Sequence, residues 1–275
     1  MANNMIGDER YRLGFGTYSL TGEDGIESIA TAIEAGYRHI DTARLYGNER
    51  EVGEAIERAD VDPDELFVAT KVAHFEEPDN SPSYVRSGVE ESLSKLGVDT
   101  IDLLYHHWPR NRTDIETVLP TFNELVDEGV VERVGVSNYT TADLELADEL
   151  LDTSPYAVQA EMHPLLPQVP LRDAVLDRDA YFVAYSPIAQ GAVFDIPEIT
   201  EIAKKHDTNA ATVTLAWLLS KDRIVAIPRS KTPEHIRGNL DAIDLTLDGS
   251  DIERIDGIDR TSRCEDPSWM EWDEQ

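Results

Sequence analysis

The chain has 275 residues, 41% of them hydrophobic, enough for one large domain with a substantial core or for two modest ones. Acidic residues outnumber basic ones 55 to 24, a formal net charge of −31, so repulsion disfavours nucleic acid and anionic membranes as partners. A single cysteine, Cys264, excludes an internal disulfide and a cysteine-based metal cluster, and no apolar run reaches the roughly 18 residues that mark a membrane span.

The N-terminal stretch MANNMIGDERYR carries neither a basic start followed by an apolar segment nor a cleavage site, so a cytoplasmic protein is expected. Lysine occurs only at Lys71, Lys95, Lys204, Lys205, Lys221 and Lys231, and the acids are spread over every helical segment. Such a surface is similar to that of cytoplasmic proteins from salt-loving microbes, where salt screens the self-repulsion of a compact fold.

Short aliphatic or β-branched runs alternate with amphipathic stretches along the whole chain. Strands are predicted at Arg12–Thr17, Tyr37–Asp41, Leu66–Lys71, Ile101–His107, Glu132–Ser137, Ala157–Glu161, Tyr181–Tyr185 and Ile224–Pro228. Helical spacing appears at Ile26, Ile29 and Ile33, stopped by Gly36, and then at Val85–Leu96, Ile115–Val126, Leu144–Leu151 and Ala211–Leu219. Eight strand–helix units in this length predict a parallel (β/α)8 TIM barrel of the α/β class. No linker divides the chain, so residues 1–275 are read as one domain. The tail 261–275 lacks periodicity but holds Trp269, Met270 and Trp272; it suits either an arm over the barrel mouth or a loosely attached terminus.

The ends of the predicted strands carry Tyr18, Asp41, Lys71, His107, Ser137 with Asn138, Gln159, Tyr185, and Arg229 with Ser230. A barrel gathers its strand C-termini on one face, where barrel enzymes place their chemistry. Asp41 and Tyr46, in GYRHIDTARLYGNE, suit by themselves a capped strand end and a packed phenol. With Lys71 beside them they acquire a chemistry. An Asp–Lys pair keeps the ammonium charged, and the ammonium favours the phenolate, lowering the Tyr46 pKa and making the phenol a better proton donor. His107 adds a neutral imidazole able to hydrogen-bond a substrate oxygen. The set suits protonating a carbonyl oxygen, which requires a hydride source that no side chain supplies.

In IVAIPRSKTPEHIRGN, a strand is followed by Arg229, Ser230, Lys231 and Thr232, with Thr232 at the N-cap and Pro233 at the first helical position. A helix start ringed by cations and hydroxyls is an anion site, and barrels often bind phosphate in this last loop. No GxGxxG follows a strand, so a bound nucleotide is not held by a Rossmann unit.

Taken together, GYRHIDTARLYGNE, LFVATK, DLLYHHWP, VGVSNY, VQAEMHP, YSPIAQG and IPRSKTPEHIRGN resemble the aldo-keto reductases, in particular the compact microbial members similar to 2,5-diketo-gluconic acid reductase. The resemblance runs in order from about Gly14 to Asn239. It implies a metal-free barrel that reduces aldehydes or ketones with NADPH. Under it, Tyr46 is the proton donor, Asp41 and Lys71 tune it, and His107 orients the carbonyl. Ser137, Asn138 and Gln159 hold the nicotinamide carboxamide, and Tyr185 stacks on the ring. Arg229, Ser230 and Thr232 grip the 2′-phosphate and Asn239 touches adenine, with Lys231 and His235 also among the cofactor-binding residues. Tyr18 and Trp108 wall the substrate pocket, and His163 is structural.

Some positions depart from the family pattern. His106 stands where an aliphatic residue is usual, and strand alternation turns it from the mouth. His235 replaces a common arginine and weakens a phosphate grip, so NADPH is expected first with NADH usable. His74 and Phe75 stand near the place of a usual tryptophan. The short N-terminus implies a reduced hairpin at the barrel bottom. A monomer acting on a small carbonyl compound is expected. The alternative is a cofactor-binding sensor or regulatory barrel with little turnover; a metal-dependent sugar isomerase would need a metal cluster or paired carboxylates that the sequence does not present.

Overall fold

A computed structural model describes Ile6 and residues 11–77, 79–268 and 270–272. Eight parallel strands lie side by side in sequence order: β1 (Phe15–Gly16), β2 (His39–Asp41), β3 (Phe67–Val72), β4 (Leu103–His106), β5 (Val134–Ser137), β6 (Ala157–Glu161), β7 (Tyr181–Tyr185) and β8 (Ile224–Ala226). A parallel bridge between Leu13 and Ala226 joins the two edges, with the Gly14 amide donating to Ala226 O at 2.8 Å and the Ala226 amide to Arg12 O at 2.9 Å. The predicted (β/α)8 barrel is the observed fold.

The helices are α1 (Gly22–Ala35), α2 (Glu49–Arg58), α3 (Pro82–Leu96), α4 (Arg112–Asp127), α5 (Thr141–Leu150), α6 (Val169–Leu176), α7 (Pro197–Lys205), α8 (Ala210–Leu219), α9 (Pro233–Asp244) and α10 (Gly249–Asp256). Local chemistry starts and stops them. Asn111 Oδ1 accepts from the Asp114 amide to open α4, and Thr140 with Asp143 forms a capping box at α5. At the other end, Gly97 terminates α3 in the left-handed region at φ 71°, where a side chain would be strained. Helix α8, AATVTLAWLL, is apolar on every side and is buried along almost its whole length.

Strand alternation divides the core in two. Ile40, Val68, Leu104, Val136, Val158 and Phe182 point outward under the helices. Phe67, Ala69, Leu103, Tyr105, Ala157, Val183 and Val225 fill the barrel interior. Gly135 on β5 makes room there: a Cβ would come within 2.5 Å of the Tyr105 ring. At the N-terminal end, Ile6 and Tyr11 are buried and the Ile6 amide donates to Tyr156 Oη at 3.2 Å. The expected reduction of the bottom hairpin lies largely outside the described residues. Among the described residues no helix is long and apolar enough to cross a membrane.

Candidate active site

The inward-facing positions nearest the C-terminal ends of the strands carry the polar groups. Register places Asp41 beside Ala69 and Lys71 beside Tyr105, so Asp41 and Lys71 converge over the Tyr105 ring. Lys71 Nζ lies 2.5 Å from Asp41 Oδ1, 2.7 Å from Thr42 O and 3.5 Å from Tyr46 Oη. Gln159 Nε2 donates to the second Asp41 oxygen at 2.7 Å.

Tyr46 stands on a single 3-10 turn, Arg44–Tyr46, closed by Gly47 at φ 68°. Buried Asn48 ties this turn to β1's loop: its Nδ2 donates to Thr17 O and Leu20 O, both at 2.8 Å. Arg44 bonds Glu77, whose other oxygen receives the His74 amide at 2.9 Å, coupling the Tyr46 turn to the loop after β3.

Burial acts to neutralise Lys71, yet the Asp41 carboxylate and the Tyr46 phenol together lift its pKa above the ordinary value. Tyr46 corrects the sequence-based expectation. Burial raises its pKa more than the Lys71 ammonium lowers it, so in the resting protein the phenol holds its proton more firmly than a free tyrosine. The ammonium acts in the expected direction, but desolvation of the ring outweighs it.

His107 is buried, its ring 5.7 Å from that of Tyr46, and burial followed by the Lys71 charge holds its pKa well below the usual range. It is a neutral imidazole, and its Nδ1 has no hydrogen-bond partner among the described residues. His106 does point the other way, with Nδ1 2.7 Å from Tyr139 Oη and Nε2 3.5 Å from Asp114.

Asn138, at φ 61°, leaves β5 in a left-handed turn that brings its side chain back over the mouth. Its Nδ2 donates to His107 O at 3.1 Å and to Ser137 Oγ at 3.0 Å, while its Oδ1 accepts from Tyr185 Oη at 2.9 Å. Ser137, Asn138 and Tyr185 therefore form one hydrogen-bonded rim beside His107, with Gln159 on the floor.

Tyr18 is exposed and packs edge-on to Tyr46 at 5.1 Å. Trp108 is mostly covered, 5.9 Å from Phe75 and 5.8 Å from Trp272. His74 lies between them, 4.8 Å from His107 and 4.2 Å from Phe75. The contact of Trp272 with Trp108 joins residues 164 positions apart, which no local sequence pattern signals. Trp269 lies outside the described residues.

In the last strand–helix loop, Arg229, Lys231, Thr232 and His235 are exposed and Ser230 is half-buried. Thr232 occupies the N-cap of α9 with Pro233 behind it, but its side chain makes no capping bond; Ser230 Oγ instead accepts from the Thr232 amide at 3.1 Å. Neither Arg229 nor Lys231 is paired with an acid among the described residues, in a chain where acids outnumber bases more than two to one. That cationic, uncapped helix start fits a phosphate. Asn239 is buried on α9 beside the Tyr37 phenol, whose hydroxyl donates to Ile236 O at 3.1 Å.

Residues 12–260 match the model of the aldo/keto reductase family. An aldo-keto reductase of Mycolicibacterium smegmatis is 36% identical over 254 residues, spanning 92% of this chain and 90% of that protein. Among solved structures, an aldo-keto reductase from a Medee basin deep-sea metagenome library superposes with a TM-score of 0.89 at 33% identity, covering 96% of both chains. A provisionally named 2,5-diketo-D-gluconic acid reductase B superposes at 0.92 with 30% identity, covering all of this chain and 98% of the other.

Proposed function

This chain belongs to the aldo/keto reductase family, and on that premise we propose that it reduces aldehydes or ketones to alcohols with Tyr46 as proton donor and NADPH as the preferred reductant. One observation carries the reading: a fully buried ammonium, Lys71 Nζ, stands between the Asp41 carboxylate at 2.5 Å and the Tyr46 hydroxyl at 3.5 Å. A nicotinamide cofactor, when bound, supplies the hydride to the carbonyl carbon.

The residues do the rest. Tyr46, a phenol that carries its proton at neutral pH and holds it more firmly for being buried, donates to the carbonyl oxygen as charge develops there. Lys71 stabilises the phenolate left behind, and Asp41 keeps Lys71 charged. Neutral His107 hydrogen-bonds the carbonyl oxygen without competing for the proton. Ser137, Asn138, Gln159 and Tyr185 would orient the nicotinamide. Arg229, Ser230, Lys231 and Thr232 would hold a 2′-phosphate at the α9 N-terminus, and Asn239 would face the adenine.

The test follows absorbance of the reduced nicotinamide in molar KCl across aldehydes, diketones and keto-sugars. Tyr46→Phe should lower kcat by about 10²- to 10⁴-fold, the usual contribution of a general acid, with cofactor affinity largely intact. Substantial turnover by Tyr46→Phe would remove Tyr46 from the donor role. NADPH should show the lower KM of the two cofactors; a KM for NADH at or below it would reverse the proposed preference.

A further inference from the structure

We infer that Glu161 is a positioning residue for the substrate pocket, fastening the C-terminal tail so that Trp272 braces Trp108; the inference rests on the carbonyl-reductase reading above. Glu161 ends β6 and is completely buried, yet its carboxylate bonds the tail and His163, whereas Gln159 on the same strand bonds Asp41. Its Oε1 accepts from the Cys264 amide at 2.6 Å and lies 2.7 Å from His163 Nε2, and its Oε2 accepts from the Glu265 amide at 2.9 Å. His163 is placed in turn by reciprocal amide–carbonyl bonds with Leu166, at 3.2 and 2.8 Å.

Both carboxylate oxygens are thus committed to tail amides, and a buried carboxylate is tolerated when such donors surround it. Glu161, His163 and Cys264 bring three ligand-type atoms within 4.8 Å of one another. The carboxylate already has three donors, so the cluster reads as a latch for the backbone. Beyond the latch, the Arg263 guanidinium lies 4.0 Å over the Trp272 ring and Trp272 Nε1 donates to Asp266 Oδ1 at 3.0 Å. Trp272 meets Trp108 edge-on at 5.8 Å, and Trp108 directly follows His107. A connected path therefore runs from a buried charge at β6 to the wall beside the reacting carbonyl.

A carboxylate is needed because two amides approach opposite oxygens. In Glu161→Gln one of those amides faces an NH2 group and loses its acceptor. Hydrogen exchange on the resting full-length protein should then show at least one of the Cys264 and Glu265 amides exchanging at least about tenfold faster. The KM for the best carbonyl substrate should rise about fivefold or more, with kcat and the NADPH KM nearly unchanged, as expected when binding alone is lost. Trp272→Ala should raise the same KM while the two amides stay protected, and the double variant should equal the larger single effect. Protected amides in Glu161→Gln, an unchanged substrate KM in either variant, or additive effects would overturn the latch alone. Failure of the wild type to oxidise NADPH with any carbonyl would overturn the reductase reading and the latch with it.

Discussion

The Asp41–Lys71 pair makes stability and catalysis separable. The Lys71 side chain is 0% exposed and that of Asp41 2%, so removing either charge strands the other in the barrel. Breaking a buried pair in this way costs about 3–5 kcal/mol, so Asp41→Asn and Lys71→Met should each lower Tm by roughly 6–10 °C at about 2 °C per kcal/mol. The double variant leaves neither charge. The side-chain carbonyl introduced by Asp41→Asn can still accept from Gln159, and the principal orphan is Thr42 O, which loses the Lys71 donor now at 2.7 Å; one buried acceptor without a partner costs about 1–3 kcal/mol. Summed singles predict about 6–10 kcal/mol of destabilisation, against about 1–3 for the double.

Thermal unfolding measures the stability cycle, and steady-state reduction of one carbonyl at saturating NADPH measures the catalytic one. All three variants should lose at least about 10²-fold in kcat, because Lys71→Met and the double variant remove the cation beside the Tyr46 phenolate and Asp41→Asn removes the carboxylate that holds that cation in place. The alkaline limb adds a signed check. Lys71 has a folded pKa above the ordinary 10.5, so its contribution is complete below that value and is lost as pH rises through the folded pKa. Lys71→Met should flatten that alkaline decline. A double variant as unstable as the two singles summed, or one retaining a tenth of wild-type kcat, would refute the pairing argument.

Acid should destabilise the fold through its buried histidines. Burial first pushes His39 and His74 down to about 4, so stability is complete above about 6.5 and falls as pH drops towards 4, His39 alone contributing about 3 kcal/mol. Asp102, raised by burial to about 6, works in the opposite direction, so His39→Leu should shrink the fall in Tm, and an unchanged Tm–pH curve would count against the assignment. Arg229→Ala should raise the KM for NADPH about tenfold, the value of one charge-assisted contact, and leave that for NADH nearly constant; equal effects on both would place Arg229 away from the 2′-phosphate. Dialysis from molar KCl into dilute buffer should lower Tm by unscreening the −31 net charge; an unchanged Tm and far-UV signal would reject a salt-adapted surface.

What could be read from the sequence depended on the range of the interaction. Strands β6 and β7 begin and end where the apolar pattern places them. Strands β1 and β8 are shorter than their patterns: Leu13 forms only an isolated bridge, and β8 stops at Ala226, although the Ile227 amide still donates to Ala184 O and Pro228 O accepts from the Gly16 amide. The residue type at each strand end, together with alternation, sufficed to bring Asp41, Lys71, His107 and Gln159 to one mouth and to turn His106 away from it; that His106 lies against Asp114 is seen only in the structure.

Sequence carried much less about how those groups satisfy one another. That Gln159 donates to Asp41, that Thr232 leaves its helix uncapped, and that Glu161 holds amides 103 and 104 residues away are outcomes of tertiary packing. The upward shift of Tyr46 belongs with them. A neighbouring charge can be inferred from a motif, because opposite charge always acts in one direction. Desolvation is a sum over everything that surrounds the ring, including Tyr18 and His107, and it takes its value only once the barrel is closed. In the donor role proposed for Tyr46 this sum would serve the chemistry: the phenol would keep its proton until a developing alkoxide took it, and Lys71 would then stabilise the phenolate in surroundings where charge interactions are strong.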